Sequence, residues 1–234
     1  MNKSLMIIIL ISSMFVVQGC VPEVSNDPKV EERLSTSPDE LLLKAAEERD
    51  TESIEKWIQE GADINTQDKS GRTAAMIATY NNDLASAQKL IEAGADVNVQ
   101  DDMKNNPFLF AGAEGYLDIL KLTIDAGADP AITNRYGGTA LIPASEHGYV
   151  DVVRELLTLT SVNVDHVNQL GWTALLEAII LNDGSAPQQE TIQLLIDHGA
   201  DVNLSDRDGV SPRIHAKNKG FKEIEEILIR AGAK

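Results

Sequence analysis

Apolar and polar positions divide the chain into three stretches with different patterns. Residues Leu5–Val17 are apolar except for two serines. This run is about 13 residues long, whereas a membrane-spanning helix needs roughly 20. Residues 21–37 carry two prolines and mixed charges without apolar periodicity, which predicts a flexible tether. From residue 38 onwards, short amphipathic segments such as Thr73–Tyr80 and Leu84–Ala93 alternate with turns, which predicts a body built from pairs of short helices.

The helical body repeats a glycine motif at a fixed interval. Gly-Ala-Asp begins at Gly61, Gly94 and Gly127, at intervals of 33 residues. It returns at Gly199, and a final Gly-Ala begins 33 residues later at Gly232. The glycine follows an amphipathic segment, so we expect it at a helix end, where a residue with positive φ is often needed.

A second motif runs in phase with the first and opens each of the later units. It consists of a Ser, Thr or Asn followed by four residues and an alanine, as in Thr73 to Ala78. The Ser or Thr is expected to cap the helix that follows it. The small alanine lets the neighbouring helix approach closely, and it recurs as Ala78, Ala111, Ala144, Ala178 and Ala216.

Two motifs that keep one phase over six units resemble the ankyrin repeat. The resemblance implies an all-α solenoid of stacked helix-turn-helix units with short β-hairpin or loop connections. It covers residues 38–234, and the six units are 38–67, 68–100, 101–133, 134–167, 168–205 and 206–234. No unit can bury its apolar face alone, so neighbouring units are expected to share one continuous core.

Two places depart from the repeat. In unit four, Thr160-Ser161 stands where other units have Gly-Ala. Threonine is poor at positive φ, so we expect this helix end to be built differently. In unit five, five residues are inserted between the two helices, within residues 182–190. The insertion is open to two interpretations, simple loop drift or a loop shaped for contact with a partner.

The only cysteine of the chain, Cys20, directly follows the N-terminal apolar run. Residues 1–19 have one basic residue before that run and are typical of a secretory signal. The segment from Val17 to Cys20 resembles the lipobox of bacterial lipoproteins, although Gln18 stands where a small residue is expected. The resemblance implies that residues 20–37 form an acylated cysteine and a tether. An ordinary secretory signal with an incidental cysteine and an uncleaved anchor are the alternatives.

The lipobox also carries an expectation about localisation. Two or three acyl chains together hold a protein stably on a membrane. Val21, rather than an aspartate, follows the cysteine, which resembles the outer-membrane sorting rule of Gram-negative lipoproteins. We therefore expect a membrane-anchored lipoprotein facing the periplasm, with the outer membrane favoured if the host is Gram-negative.

Charge and chemistry narrow the function classes. The formal net charge is −17, which argues against a nucleic-acid partner, since such binding rests largely on phosphate neutralisation. The four histidines, His147, His166, His198 and His215, are spread over units four to six without metal-ligand spacing. The sequence has no P-loop and no G-x-S-x-G motif. We therefore expect structural roles for the histidines, no cofactor, no small-molecule substrate and no enzymatic activity.

Candidate partner-binding residues come from the family resemblance. Ankyrin arrays bind through their hairpin tips and the exposed side of each unit's first helix. Carried over to this sequence, the resemblance implies contacts from Arg72, Tyr80, Met103, Arg135, Tyr136, Leu170, Trp172 and Arg207. Tyr136 and Trp172 are expected to be the main anchors, in one patch with Leu170 and Met103, because aromatic side chains often dominate binding energies.

The expected function is a non-catalytic protein–protein interaction module, lipid-anchored in the bacterial envelope. Family analogy and location favour an inhibitor or immunity protein that neutralises a toxic enzyme such as a phospholipase effector. The alternative is an accessory or stabilising factor for an endogenous periplasmic enzyme, for example in stress defence.

Overall fold

The computed structural model describes residues 37–234, and the regular secondary structure in that range is helical. The helices are α1 (Pro38–Glu48), α2 (Thr51–Gln59), α3 (Ala74–Tyr80), α4 (Leu84–Glu92), α5 (Pro107–Glu114), α6 (Leu117–Asp125), α7 (Leu141–His147), α8 (Val150–Leu159), α9 (Ala174–Ile180), α10 (Ala186–Asp197), α11 (Pro212–Lys219) and α12 (Lys222–Arg230). The all-α solenoid is thus confirmed for these residues. The predicted signal, Cys20 and the tether up to residue 36 lie outside them.

The helices form two rows. Within each unit the first helix packs against the second, and each also packs against the helix at the same position in the adjacent unit. The first helices, α1, α3, α5, α7, α9 and α11, therefore make one row, and the second helices make the other. One hydrophobic core runs through both rows from Leu42 in α1 to Leu228 in α12, as expected for units that cannot bury their apolar faces alone.

Small and large side chains have separate places in this core. The five alanines of the second motif are completely buried in the row of first helices, where a larger side chain would separate neighbouring units. In the second row, Leu90, Leu156 and Leu195 are completely buried. Each stabilises the fold by about 1.5–3 kcal/mol relative to an exposed side chain.

The Gly-Ala-Asp motif ends the second helices as the sequence predicts. Its glycines have φ between 84° and 97°, a conformation that costs other residues free energy. In unit four Thr160 is extended instead, with φ −125° and ψ 166°. Its hydroxyl donates to the carbonyl oxygen of Leu156 (2.5 Å) and accepts from Val162 N (3.2 Å). The threonine side chain therefore satisfies the helix end that the glycine turn satisfies elsewhere.

Caps at the start of the first helices follow the prediction in three units and fail in one. Thr73, Thr173 and Ser211 accept the backbone N–H three residues ahead of them. Thr139 does not, and its hydroxyl is buried without a partner in residues 37–234. Pro143 explains the difference, because it has no N–H to donate to the Thr139 carbonyl. The helix α7 consequently begins later, at Leu141.

The connections between units are tight turns, and none of them forms a strand in the described part of the chain. Each turn is closed by a backbone hydrogen bond, such as that from Asn168 N to the Trp172 carbonyl (3.0 Å). Neighbouring turns are also joined, as by Gln169 N and the Tyr136 carbonyl (3.0 Å). Within residues 37–234, no helix has the length and apolar character that crossing a membrane requires.

The insertion of unit five contacts the units on both sides of it. The Asn182 side-chain amide donates to the backbone carbonyl of Glu146, which also accepts from Gln188 Nε2 (2.9 Å). On the other side, Lys219 Nζ donates to the Asn182 carbonyl (2.8 Å). The inserted residues therefore hold units four, five and six together, which gives them a role in the array itself.

Candidate partner-binding groove

A groove of about 420 Å³ lies across units three, four and five. Its walls come from the first helices α5, α7 and α9 and from the turns that precede them. Because the units stack in register, each contributes residues from equivalent positions. We call this cavity the central groove.

The rim of the central groove carries exposed apolar and aromatic side chains. Tyr136 is 57% exposed and Leu170 is 56% exposed, and their turns are adjacent. The Arg135 guanidinium lies 4.8 Å from the centre of the Tyr136 ring, and its Nη1 is 3.3 Å from the sulfur of Met103. We call Met103, Arg135, Tyr136 and Leu170 the rim cluster. Three of its members line the groove, and Met103 adjoins it.

The floor of the groove contains a buried carboxylate, Glu177 in α9, which is only 5% exposed. Its Oε1 accepts a hydrogen bond from Asn168 Nδ2 (2.6 Å). Burial and the negative charge of Glu146 in the preceding unit raise the pKa of Glu177 to about 7, although the Asn168 hydrogen bond acts in the opposite direction. Near neutral pH this carboxyl group therefore titrates between neutral and charged forms.

The turn of unit five positions Asn168. Its Oδ1 accepts the backbone N–H groups of Leu170 (2.9 Å) and Trp172 (3.1 Å). The side chain is thereby fixed with its amide N–H pointing at Glu177. In unit six, Asp206 has the same place and pairs instead with His215 (2.7 Å). In unit six the turn residue is the acceptor Asp206, which meets a histidine of the helix. In unit five it is Asn168, whose amide donates to a carboxylate of the helix.

Sequence reasoning missed Glu177, although the repeat contains a signal for it. The position just before the alanine of the second motif holds Ile77, Phe110 and Pro143 in units two to four. Unit five alone has an acid there. An acid at a position that units two to four fill with apolar side chains marks a site that stacking does not require.

Arg72 and Tyr80, two of the predicted contact residues, are half-buried and engaged with the chain itself. Arg72 pairs with Asp68 (2.6 Å) and Glu47 (3.1 Å). The Tyr80 hydroxyl donates to Asp101 Oδ2 (2.5 Å). Burial and this hydrogen bond raise the pKa of Tyr80 to about 12. These contacts link units one to three, and partner contact by either side chain stays a prediction.

Trp172 and Arg207 lie outside the central groove. Trp172 is half-buried and is not among the groove-lining residues. Arg207 is exposed, with its aliphatic stem lying over the backbone of Gly171, in the space that a Cβ there would occupy. The expected patch of Met103, Tyr136, Leu170 and Trp172 is therefore assembled only in part, because Trp172 does not face the groove with the others.

The histidines contact neighbouring parts of the array. His166 Nε2 is 2.7 Å from the Gly137 carbonyl oxygen, and His198 Nδ1 is 2.8 Å from that of Leu194. The His147 ring stacks on Tyr149 with centres 5.3 Å apart. Within residues 37–234 there is no group of three or more side chains able to hold a metal ion.

Comparison with protein families gives a match over most of the chain. The family model of ankyrin repeats in three copies matches residues 42–134 and 108–206. Among curated proteins, the putative ankyrin repeat protein YahD of Escherichia coli K12 is 52% identical over 81 residues, 35% of this chain and 40% of that protein. A putative ankyrin repeat protein of Rickettsia felis is 35% identical over 79 residues, 34% of this chain and 20% of that protein. The matched stretch is thus less than half of either relative.

Solved structures match nearly the whole array. An ankyrin repeat domain from Acinetobacter baumannii AYE is 51% identical, with a TM-score of 0.81 over 82% of this chain and 98% of that one. The ankyrin repeat protein EF0377 is 38% identical, with a TM-score of 0.79 over 84% and 98%. The ankyrin repeat domain of Bcl-3 has a TM-score of 0.73 over 83% and 86% but is only 23% identical, a likeness of fold alone.

Proposed function

The chain belongs to the ankyrin-repeat family, whose arrays are generally non-catalytic protein-interaction modules, and from this premise we propose that it binds a protein partner at the central groove. The observation that supports this site most strongly is the rim cluster. It exposes a tyrosine, a leucine, a methionine and an arginine side by side, and stacking of the units requires none of them. Tyrosine, methionine and arginine are enriched at protein interfaces, and a leucine beside them adds apolar contact area.

We also propose that the array is a lipoprotein anchored through Cys20 and facing the periplasm. The support is the sequence around Cys20, which lies outside the described residues. Cys20→Ala should abolish labelling by a fatty-acid analogue and leave the precursor unprocessed, because the acyl chains would have no attachment site. Labelling that survives this change would show that the lipoprotein assignment is wrong.

The role that we propose for the anchored module is inhibition of a toxic enzyme that reaches the envelope, such as a phospholipase. A cell that lacks the protein should grow normally alone and be killed by a neighbouring strain that delivers the toxin. Impaired growth or stress tolerance in pure culture, without such killing, would favour the accessory role for an endogenous periplasmic enzyme.

The groove itself is tested by a double substitution, Tyr136→Ala with Leu170→Ala. The partner is first recovered from native membranes with the full chain and identified by mass spectrometry. The double variant should bind that partner at least about 30-fold more weakly, since alanine at a true interface centre costs about 2 kcal/mol or more. Its melting temperature should stay nearly unchanged, because both side chains are more than half exposed.

A matched control separates the groove from exposed apolar surface in general. Leu159 is 57% exposed and lies at the end of α8, in the other row of helices. Leu159→Ala should leave binding unchanged. Intact binding in the double variant, or an equal loss in the control, would place the interface on another face.

A further inference from the structure

The central groove is acidic as well as apolar, and this identifies the kind of side chain that it fits. Glu114, Glu146 and Glu177, one from each of three successive first helices, line it. The only basic residue among the lining residues is Arg135, whose guanidinium is turned towards Tyr136 and Met103 at the rim. Within residues 37–234, Arg135 makes no ion pair with these glutamates. The carboxylates therefore lack a cationic partner of their own.

Glu177 is a group that stacking does not explain. It is only 5% exposed, and it forms part of the groove wall. Its single hydrogen bond uses Oε1, so Oε2 is without a donor in the described residues. A buried carboxylate lowers stability unless it is paired and fully hydrogen-bonded. Groups that break the local rules of a fold in this way are found mainly at functional sites.

Asn168 gives the ionised form of Glu177 one hydrogen bond, which partly offsets the effect of burial. Asn168 is fixed by the turn with its amide as a donor to the carboxylate. In units two and six the same turn position is an aspartate that meets a basic side chain, Arg72 or His215. In unit five no described basic side chain forms an ion pair with Glu177.

We propose that the central groove receives a Lys or Arg side chain of the partner protein, bound between Glu177 and Glu146 and flanked by Tyr136, Leu170 and Leu181. This inference rests on the proposed function and specifies the partner's chemistry. The apolar flanks suit the aliphatic stem of such a side chain, while the carboxylates suit its charged head. The net charge of −17 also favours encounter with a basic surface.

A protein side chain fits the site better than a small free amine. The rim cluster extends beyond the carboxylates as exposed apolar surface, which a single small cation would leave uncovered. A peptide segment whose basic residue enters the groove would cover the rim with its neighbouring residues. Partner binding would then combine one charged anchor with apolar contacts around it.

The test uses the full chain in detergent micelles and a randomised linear peptide library displayed on phage. Selected peptides should share a Lys or Arg at one position. Glu177→Gln should weaken their binding at least about tenfold, as loss of one member of a buried charge pair does. Replacing the shared basic residue by norleucine should cause a similar loss. Combining the two changes should add little, because each removes the same contact.

The matched control is Glu223→Gln, which makes the same charge change on an exposed residue of α12 and should leave affinity unchanged. Spermidine should compete only weakly with the peptides. The inference is overturned if the selected peptides lack a basic residue, bind Glu177→Gln normally, or are displaced by spermidine at their own affinity. If such peptides still lose binding on Tyr136→Ala with Leu170→Ala, the groove remains the interface. If they do not, the proposed site fails as well.

Discussion

Units two and five share one turn geometry and treat charge in opposite ways. In unit two, Asp68 caps the turn and its second oxygen holds the Arg72 guanidinium (2.6 Å). In unit five, Asn168 caps the turn and its amide holds the buried carboxylate of Glu177 (2.6 Å). Unit two neutralises the charge of Asp68 internally, whereas unit five leaves the charge of Glu177 uncompensated beside an open groove. The comparison separates polar residues that hold the array together from polar residues that are available to a partner.

The largest effect is expected on removing the uncompensated charge of unit five. The folded-state pKa of Glu177 is raised from 4.5 to about 7, so the folded chain loses stability as the pH rises through 4.5, and the loss is complete above pH 7. Glu177→Gln should therefore raise the free energy of unfolding by about 2–4 kcal/mol at pH 8, at 1.36 kcal/mol per pKa unit. The gain should shrink as the pH falls from 7 and be absent near pH 4, where the wild-type carboxyl is protonated in both states.

Denaturant unfolding of both proteins across pH 4–8 measures this difference. Glu223→Gln provides the control for a general loss of negative charge. A stability gain that is equal in the two variants, or that does not depend on pH, would mean that Glu177 is not a special site.

The next largest effect is expected on stability, from removing a hydrogen bond that holds two units of the array together. Tyr80→Phe removes the hydroxyl that donates to Asp101. Asp101 is only 4% exposed. An unsatisfied buried acceptor costs about 1–3 kcal/mol, so this variant should be less stable by that amount. Tyr136→Phe makes the same chemical change on an exposed ring and should have almost no effect. Equal stability of the two variants in thermal unfolding would remove the distinction drawn here.

A smaller effect is expected in the pH dependence of binding. A cationic side chain prefers ionised Glu177, so peptides selected on the groove should bind more tightly as the pH rises from 6 to 8, by up to about tenfold. The charged groups that line the groove with Glu177 are Glu114, Glu146 and Arg135, and His215, at the equivalent position of the adjacent helix α11, is paired with Asp206. The pH dependence should therefore be lost in Glu177→Gln. Fluorescence anisotropy titrations at several pH values measure it, and a persistent dependence would assign it to another group.

The regular parts of the fold could be predicted because they obey local rules that repeat. The phase of the glycines and alanines predicts helix ends and close packing, and Thr160 is recognisable as an exception because a β-branched residue disfavours positive φ. The late start of α7 could also be predicted from the sequence, since Pro143 cannot donate a backbone N–H. Its consequence for Thr139 depends on which carbonyl loses a donor, and that follows only from the helix register.

The site could be predicted only in part, because exposure depends on the paths of long side chains. Tyr136 and Leu170 both line the groove, and Met103 contacts Arg135 at its rim, whereas contact of these side chains with a partner stays a prediction. Trp172 and Tyr80 occupy equally variable positions, but Trp172 is half-buried outside the groove and Tyr80 is hydrogen-bonded to Asp101, which no spacing rule predicts. Glu177 could have been found by comparing the units with one another, since it alone places an acid at that position. Glu177 belongs to none of the catalytic motifs considered for this sequence.

In the proposed complex, a basic side chain of the partner neutralises the uncompensated carboxylate of the groove. The most direct test of this neutralisation is a carbon-13 NMR titration of the Glu177 carboxyl in the full chain, alone and with a selected basic peptide, using Glu177→Gln to assign the signal. The pKa of Glu177 should be about 7 in the free chain and should fall when the peptide binds, because a nearby cation favours the charged form. A free-chain value near 4.5, or a pKa that the peptide leaves unchanged, would contradict it.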